Sequence, residues 1–300
     1  AQIPGERPPV IIMEEPETAL YPSAISVLLR DVQSIPSGKE PQVIVSSHSE
    51  AVLRCFIPDD IFIIEKGHSP QKLMDAVRNI NPSKGHFQKP EYLIMPGGPS
   101  VLFADKVLVM EGARDIIISG HLDRIAAKYA AVSACPHISF AMKGWCVFHA
   151  FGADQIMDCI RMFQTLGKKT AAVFDGDDTG RKYAEEVKDI CPTFVYRSCN
   201  YKQPALEEAL LAGLPTDDAK QILTEFDNCP ACPLGAPRRA CWTMGGKCPK
   251  GSKDDRKNLL QNLCLEAYEK QNLFPSAFKN LLQQIDSAVP GKVYELNADQ

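Results

Sequence analysis

The sequence has no apolar run near the ~20 residues needed to cross a bilayer, and its opening does not read as a secretory signal. It has no basic surplus either. Lys and Arg total 33 against 37 Asp and Glu, a formal net charge of −4. That excludes a polybasic, histone-like binder but not an enzyme with a local basic face. The phosphate-loop pattern Gly-x-x-x-x-Gly-Lys-Ser/Thr occurs nowhere, so the nest of backbone N–H groups that cradles a triphosphate is missing. No methionine opens the chain, and residues 1–9 lead directly into an apolar strand. A fragment separated from an N-terminal half is expected. What is present is an ordinary globular composition, long enough at 300 residues for about two domains. Of the 11 cysteines, Cys55, Cys146, Cys159 and Cys264 fall in apolar patterns, which reads as buried free thiols in a reducing cytoplasm.

The pattern of apolar runs predicts strands at 10–13, 42–46 and 61–65, with a helix over 19–34. Strand–helix–strand alternation implies parallel α/β structure. Over 66–99 Gly, Pro, Asn, Ser and Lys become frequent and periodicity fades, apart from a short helix near 71–77, so a connector is expected at 71–102. A second α/β unit follows. Its strands are predicted at 106–110, 145–150, 170–174 and 193–196, and its helices at 116–131, 153–166, 181–189 and 206–212. Two further helices, 254–269 and 275–288, are expected to close the chain.

The most informative feature is where the strands stop. Lys106-Val107-Leu108-Val109-Met110 runs straight into Glu111-Gly112, with Asp115 four residues on. Thr170-Ala171-Ala172-Val173-Phe174 runs into Asp175-Gly176-Asp177-Asp178. Parallel strands bring their C-terminal tips to one crevice. Carboxylates gathered there repel each other unless a cation sits among them. Hard oxygen ligands favour Mg²⁺ or Mn²⁺, which commonly act on phosphate esters. Glu111 and Asp115 would share one face of a first helical turn, steadied by the helix dipole. Asp178 reads equally as a ligand or as a helix N-cap.

The upstream strands also end in acids and a histidine. Glu14-Glu15-Pro16-Glu17-Thr18-Ala19-Leu20-Tyr21-Pro22 follows the first strand, and Ser46-Ser47-His48-Ser49 the second. This pairing resembles the Walker B segment and switch histidine of ABC-type ATPases. By that resemblance Glu14 is the magnesium-side acid, Glu15 the catalytic base and His48 the switch residue. Lacking a phosphate loop, the chain alone is expected to bind ATP poorly and hydrolyse it negligibly.

The acidic strand ends resemble the Toprim domain of topoisomerases, primases and OLD-family nucleases, whose signature is a Glu on one strand and Asp-x-Asp on another. The finer resemblance is to the OLD (overcoming lysogenisation defect) family, which joins an ABC-type ATPase to a C-terminal Toprim nuclease. Leu102-Phe103-Ala104-Asp105 leading into Glu111-Gly112 carries it, together with Ala172-Val173-Phe174-Asp175-Gly176-Asp177. The resemblance implies an α/β chain with four parts. These are the C-terminal part of an ABC-type ATPase domain (1–70), the connector, a Toprim domain (103–200) and a helical region with a Cys-rich segment (201–300, 228–251). It implies two-metal hydrolysis of DNA phosphodiesters, with Mg²⁺ or Mn²⁺ on Glu111, Asp115, Asp175 and Asp177. It also implies a regulatory ATP site completed by a missing N-terminal half, a homodimer formed through the ATPase region, and a role in DNA processing or phage defence. Glu207 resembles an acid that OLD proteins carry after the last Toprim strand, although a solvated helix face is the reading its surroundings favour. A family lysine near the scissile phosphate corresponds best to Lys253, then Lys250.

Cys229-Pro230-Ala231-Cys232 has zinc-knuckle spacing, and Cys241 and Cys248 could complete a structural Zn²⁺ site. The same segment is locally basic and carries Trp242, so it could touch DNA. Two rivals remain: a Toprim topoisomerase or primase-like enzyme, and a non-catalytic ATPase-linked DNA-binding module.

Overall fold

The computed structural model describes residues 10–33, 41–65, 67, 69–78, 99–133, 136, 138–227 and 253–299. Contacts divide the chain into two units, one up to Asp105 with Gln164–Lys168, the other Lys106–Phe163 with Lys169 onward. Among the described residues no helix is long and apolar enough to cross a membrane.

The first unit opens with β1 (Val10–Glu14), α1 (Pro22–Gln33), β2 (Gln42–Ser46) and α2 (Glu50–Leu53). β1 and β2 pair in parallel from Val10↔Gln42 to Glu14↔Ser46. Ile25 and Leu29 of α1 and Val52 of α2 form a small core against Met13 and Val45. The opposite sheet face shows Val10, Ile12 and Ile44 to solvent. The strand expected over 61–65 shrinks to β3 (Phe62–Ile63), paired antiparallel with β4 (Gln71–Lys72). Phe62 and Ile64 both face solvent, so the apolar run there lacks the burial that sustains a longer strand. Then come α3 (Leu73–Arg78) and α4 (Pro99–Phe103).

The second unit is built on β5 (Lys106–Met110), α5 (Ala113–Ser133), β6 (Trp145–His149), α6 (Ile156–Thr165), β7 (Lys169–Phe174), α7 (Asp178–Val187) and β8 (Thr193–Arg197). It continues with α8 (Leu206–Ala212), α9 (Thr216–Asp227), α10 (Lys253–Gln271), α11 (Ser276–Gln284) and β9 (Val293–Asn297). The five strands form one all-parallel sheet in the order β6-β5-β7-β8-β9. Two elements differ from expectation. The closing region is not purely helical, because β9 pairs with β8 from Thr193↔Val293 to Arg197↔Asn297. Its Val-Tyr-Glu-Leu-Asn sequence sits at a half-solvated edge and so lacks the continuous apolar run of a central strand. Helix α9 also went unforeseen, its opening turn rich in acids.

Burial explains the strands. Val107, Leu108, Val109 and Met110 are all buried, as are Ala171, Ala172, Val173 and Phe174, the mark of a parallel sheet covered on both faces. Leu108, Met110, Ala171, Val173, Phe194 and Tyr196 share one core with α5, α8, α10 and α11. Helix α5 supplies Ile118, Leu122, Ile125 and Ala126 at helical spacing. On the other side α7 packs on β7 and β8, and Phe163 of α6 meets Phe148 of β6 edge-on at 5.0 Å.

Candidate metal centre

β5 and β7 are hydrogen-bonded neighbours, Lys106↔Lys169 to Val109↔Ala172. Their C-terminal tips therefore lie side by side and deliver Glu111 and Asp175 to one place. The backbone N–H of Asp175 donates to Glu111 Oε1 at 2.9 Å, so the second acidic tip is latched to the first. Asp115, in the first turn of α5, accepts from the Gly112 N–H at 2.8 Å. Asp177 caps α7 by accepting from the Gly180 N–H at 2.7 Å. The N-cap is thus Asp177. Asp178 is the first helical residue and faces solvent, which corrects the expectation of it as cap. The glycines serve close approach. A Cβ on Gly176 would stand 2.3 Å from the Tyr196 carbonyl oxygen, and one on Gly180 2.2 Å from that of Asp175.

Glu207 corrects a second expectation. It is not on a solvated face but buried, 2% exposed. Its carboxylate accepts from Gln261 Nε2 at 2.8 Å and pairs with Lys257 Nζ at 3.2 Å, both from α10. Arg114 Nη1 in turn donates to Gln261 Oε1 at 3.3 Å. Among the described residues, the cation beside these acids is Lys257. Lys253 opens α10, but its side chain lies outside the described residues, as do Lys250, Cys229, Cys232, Cys241 and Cys248. The sequence does carry a signal for both missed groups. Glu207 lies three, four and seven residues before Leu210, Leu211 and Leu214, and Lys257 three, seven and eleven before Leu260, Cys264 and Tyr268, all buried. A charge on the apolar stripe of a helix needs a partner or a purpose.

The electrostatics follow from burial and like charge. Burial, followed by repulsion from Glu111 and Glu207, pushes the Asp115 carboxyl up to about 7. Asp175 rises well above the carboxylate range through burial and the charges of Glu111, Asp115 and Glu207. Glu111 rises too, chiefly by burial, with the Asp175 N–H pulling the other way. Burial lowers the pKa of Lys257, but its carboxylate neighbours, led by Glu207, outweigh that and raise it. Tyr196, 1% exposed, points into the same group. Its hydroxyl finds no hydrogen-bond partner among the described residues, and burial and the four acids push its pKa well up.

This donor set suits a hard divalent cation, since it is all carboxylate oxygen and short of positive charge. Among the described residues, no three Asp, Glu, His or Cys side chains are gathered tightly enough to hold an ion as they stand. Glu111, Asp115 and Asp177 each accept a backbone N–H through one carboxylate oxygen.

In the first unit Glu14 and Glu15 end β1, and both are exposed. Glu15 takes a left-handed backbone, φ 43°, and donates its N–H to the Ser46 carbonyl at 2.8 Å. His48 Nε2 lies 3.8 Å from Glu15 Oε1. Glu17 accepts from Ser47 Oγ at 2.6 Å and from the His48 N–H at 3.0 Å. Those bonds, Ser47 foremost, outweigh its slight burial and lower its pKa. The end of β1 and His48 thus lie side by side.

Residues 102–177 match the family model described as overcoming lysogenization defect protein-like, TOPRIM domain. The match spans β5 to the Asp175–Asp177 tip and thus covers the carboxylates from β5, α5 and the end of β7. No curated protein matches the sequence. The chain therefore carries an OLD-like Toprim domain, the kind of domain found in metal-dependent enzymes that process nucleic acids.

Proposed function

We propose that this chain is a Mg²⁺- or Mn²⁺-dependent nuclease that hydrolyses DNA phosphodiesters and answers to an ATPase-like unit upstream. The observation that carries the reading is the latch between the β5 and β7 tips, which gathers half-buried, mutually repelling carboxylates beside a lysine. Glu111, Asp115, Asp175 and Asp177 would hold the ions, with Glu207 close by. Bound metal would supply an activated water and neutralise the departing oxygen. Glu207 and Gln261 hold Lys257 and its surroundings in place, so that an ammonium stands ready for charge that develops on phosphate.

The regulatory part of the proposal rests on the Glu15–His48 pair and on the bare apolar face of β1 and β2. Val10, Ile12 and Ile44 would be covered by further ATPase structure, which would also bring the absent phosphate loop. A homodimer and a role in DNA processing or phage defence belong to the same family reading.

Supercoiled plasmid tests it. Parent chain should cut with Mn²⁺ or Mg²⁺ and not with EDTA, and Glu111→Ala and Asp175→Ala should each lower the rate at least about a hundredfold. Equal cutting by the alanine forms, or none by the parent with either metal, would remove the nuclease.

A further inference from the structure

At the tip of β6 the backbone does something folding alone would not choose. Phe151 is left-handed, φ 64°, and Gly152 follows at φ 140°. For a bulky residue that conformation is strained, and strain of this kind gathers where function requires it. Nor does burial offset it, because Phe151 remains 46% exposed. The ring is nonetheless held. It meets the His149 imidazole at 3.9 Å and 61°, His149 stacks on Phe148 at 5.7 Å and 22°, and Phe148 meets Phe163 edge-on at 5.0 Å. A row of four rings thus runs from the core to an exposed end.

That end is tied to the acidic centre. The Ala150 N–H donates to the Met110 carbonyl at 2.8 Å and the Gly152 N–H to the Glu111 carbonyl at 3.0 Å, so Phe151 stands between two bonds to the strand end that bears Glu111. The short turn at Ala153–Gln155 packs against α7, the helix that Asp177 caps. A rigid aromatic ring beside a phosphate-handling site offers a π-face to any base, whatever its identity. A paired duplex hides its bases' faces, whereas an unpaired or frayed nucleotide presents one.

We propose that Phe151 stacks on an unpaired base next to the scissile phosphate, so that the substrate is DNA with a single-stranded or frayed nucleotide at the cut. The proposal rests on the nuclease reading above and adds the substrate class. The probe is a single strand carrying 2-aminopurine, compared with the fully paired duplex. It is bound to the full chain with Ca²⁺ replacing Mg²⁺ or Mn²⁺ to slow turnover. The parent should quench 2-aminopurine and prefer the single strand. Phe151→Gly, which accepts the positive φ without strain, should keep the parent's thermal midpoint or raise it. It should lose the quenching and weaken single-strand binding about five- to hundredfold. Phe151→Leu, which keeps apolar bulk without a π-face, should also lose the quenching, and Phe151→Trp should retain it. Parent-like quenching and affinity in the Gly and Leu forms, or equal binding of the paired duplex without quenching, overturns the inference. If plasmid is still cut in a metal- and Glu111-dependent way, only the stacking role falls. If the parent cuts nothing with either metal, the nuclease reading falls.

Discussion

The two ends of one sheet treat charge in opposite ways. At the N-terminal end, where Lys106 and Trp145 open β5 and β6, the Asp286 carboxylate accepts from Lys106 Nζ at 2.9 Å, Lys143 Nζ at 2.7 Å and Trp145 Nε1 at 3.0 Å. Those donors, Lys143 first, outweigh its desolvation and hold its pKa far below the carboxylate range. At the C-terminal end Glu111, Asp115 and Asp175 crowd together with raised pKa values, and Lys257 is already engaged by Glu207. The first end is complete without a ligand. The second is short of positive charge, and its raised pKa values show that protons must relieve the repulsion where no cation does.

The comparison can be broken most forcefully at Lys257. Lys257→Met should slow plasmid cleavage about a hundredfold or more. It should also destabilise the fold, because Glu207 would be left buried without its partner. Lys257→Arg should restore the fold and part of the rate, which separates chemistry from stability. Cutting at the parental rate by the Met form would show that the lysine only balances Glu207.

Asp115 sharpens the contrast through pH. Its pKa rises from 3.8 unfolded to about 7 folded, so between those values the native state binds more protons than the unfolded one. Stability from this group is therefore full at low pH and falls as pH rises from about 4 to about 7. Asp115→Asn removes that loss. In EDTA the variant should gain on the parent as pH rises, by up to about 4 kcal/mol, and Mn²⁺ should close the gap by stabilising the parent. Thermal midpoints at pH 4.5 and 7.5 decide it, and a parent-minus-variant difference that does not change with pH removes the claim.

Asp286 should give the smallest effect and the opposite sign. Its lowered pKa means stability present above the unfolded value and lost as pH falls. The group is about one-third exposed, so screening limits the effect of Asp286→Asn to about 1 kcal/mol at pH 7. The effect should begin to shrink as pH falls below about 4 and vanish only in stronger acid, below the lowered pKa, as read from urea midpoints. Cleavage should stay parental, and a lower rate in this variant would mean that the two ends are coupled.

Much of the centre was legible because central parallel strands must be apolar throughout. Lys106–Met110 and Lys169–Phe174 therefore announce their ends by the first carboxylate, and adjacent strands place those ends together. Glu207 and Lys257 were less legible because each reads locally as an exposed helical charge. Only their positions on apolar stripes hinted otherwise. The edge strand β9 and the cap at Asp177 were missed for a related reason. A half-solvated strand carries polar residues, and neighbouring aspartates compete equally for one cap on paper.

By itself, then, the sequence determined the central strands, the acids at their tips and the domain type, because those follow from local periodicity and chain order. Tertiary structure alone decided that the two acidic tips are latched, that Glu207 is buried against Lys257, and that Phe151 is held out beside Glu111. Each of these depends on which distant segments pack together. The Glu207–Lys257 contact joins residues fifty positions apart, and no local pattern encodes such a pairing.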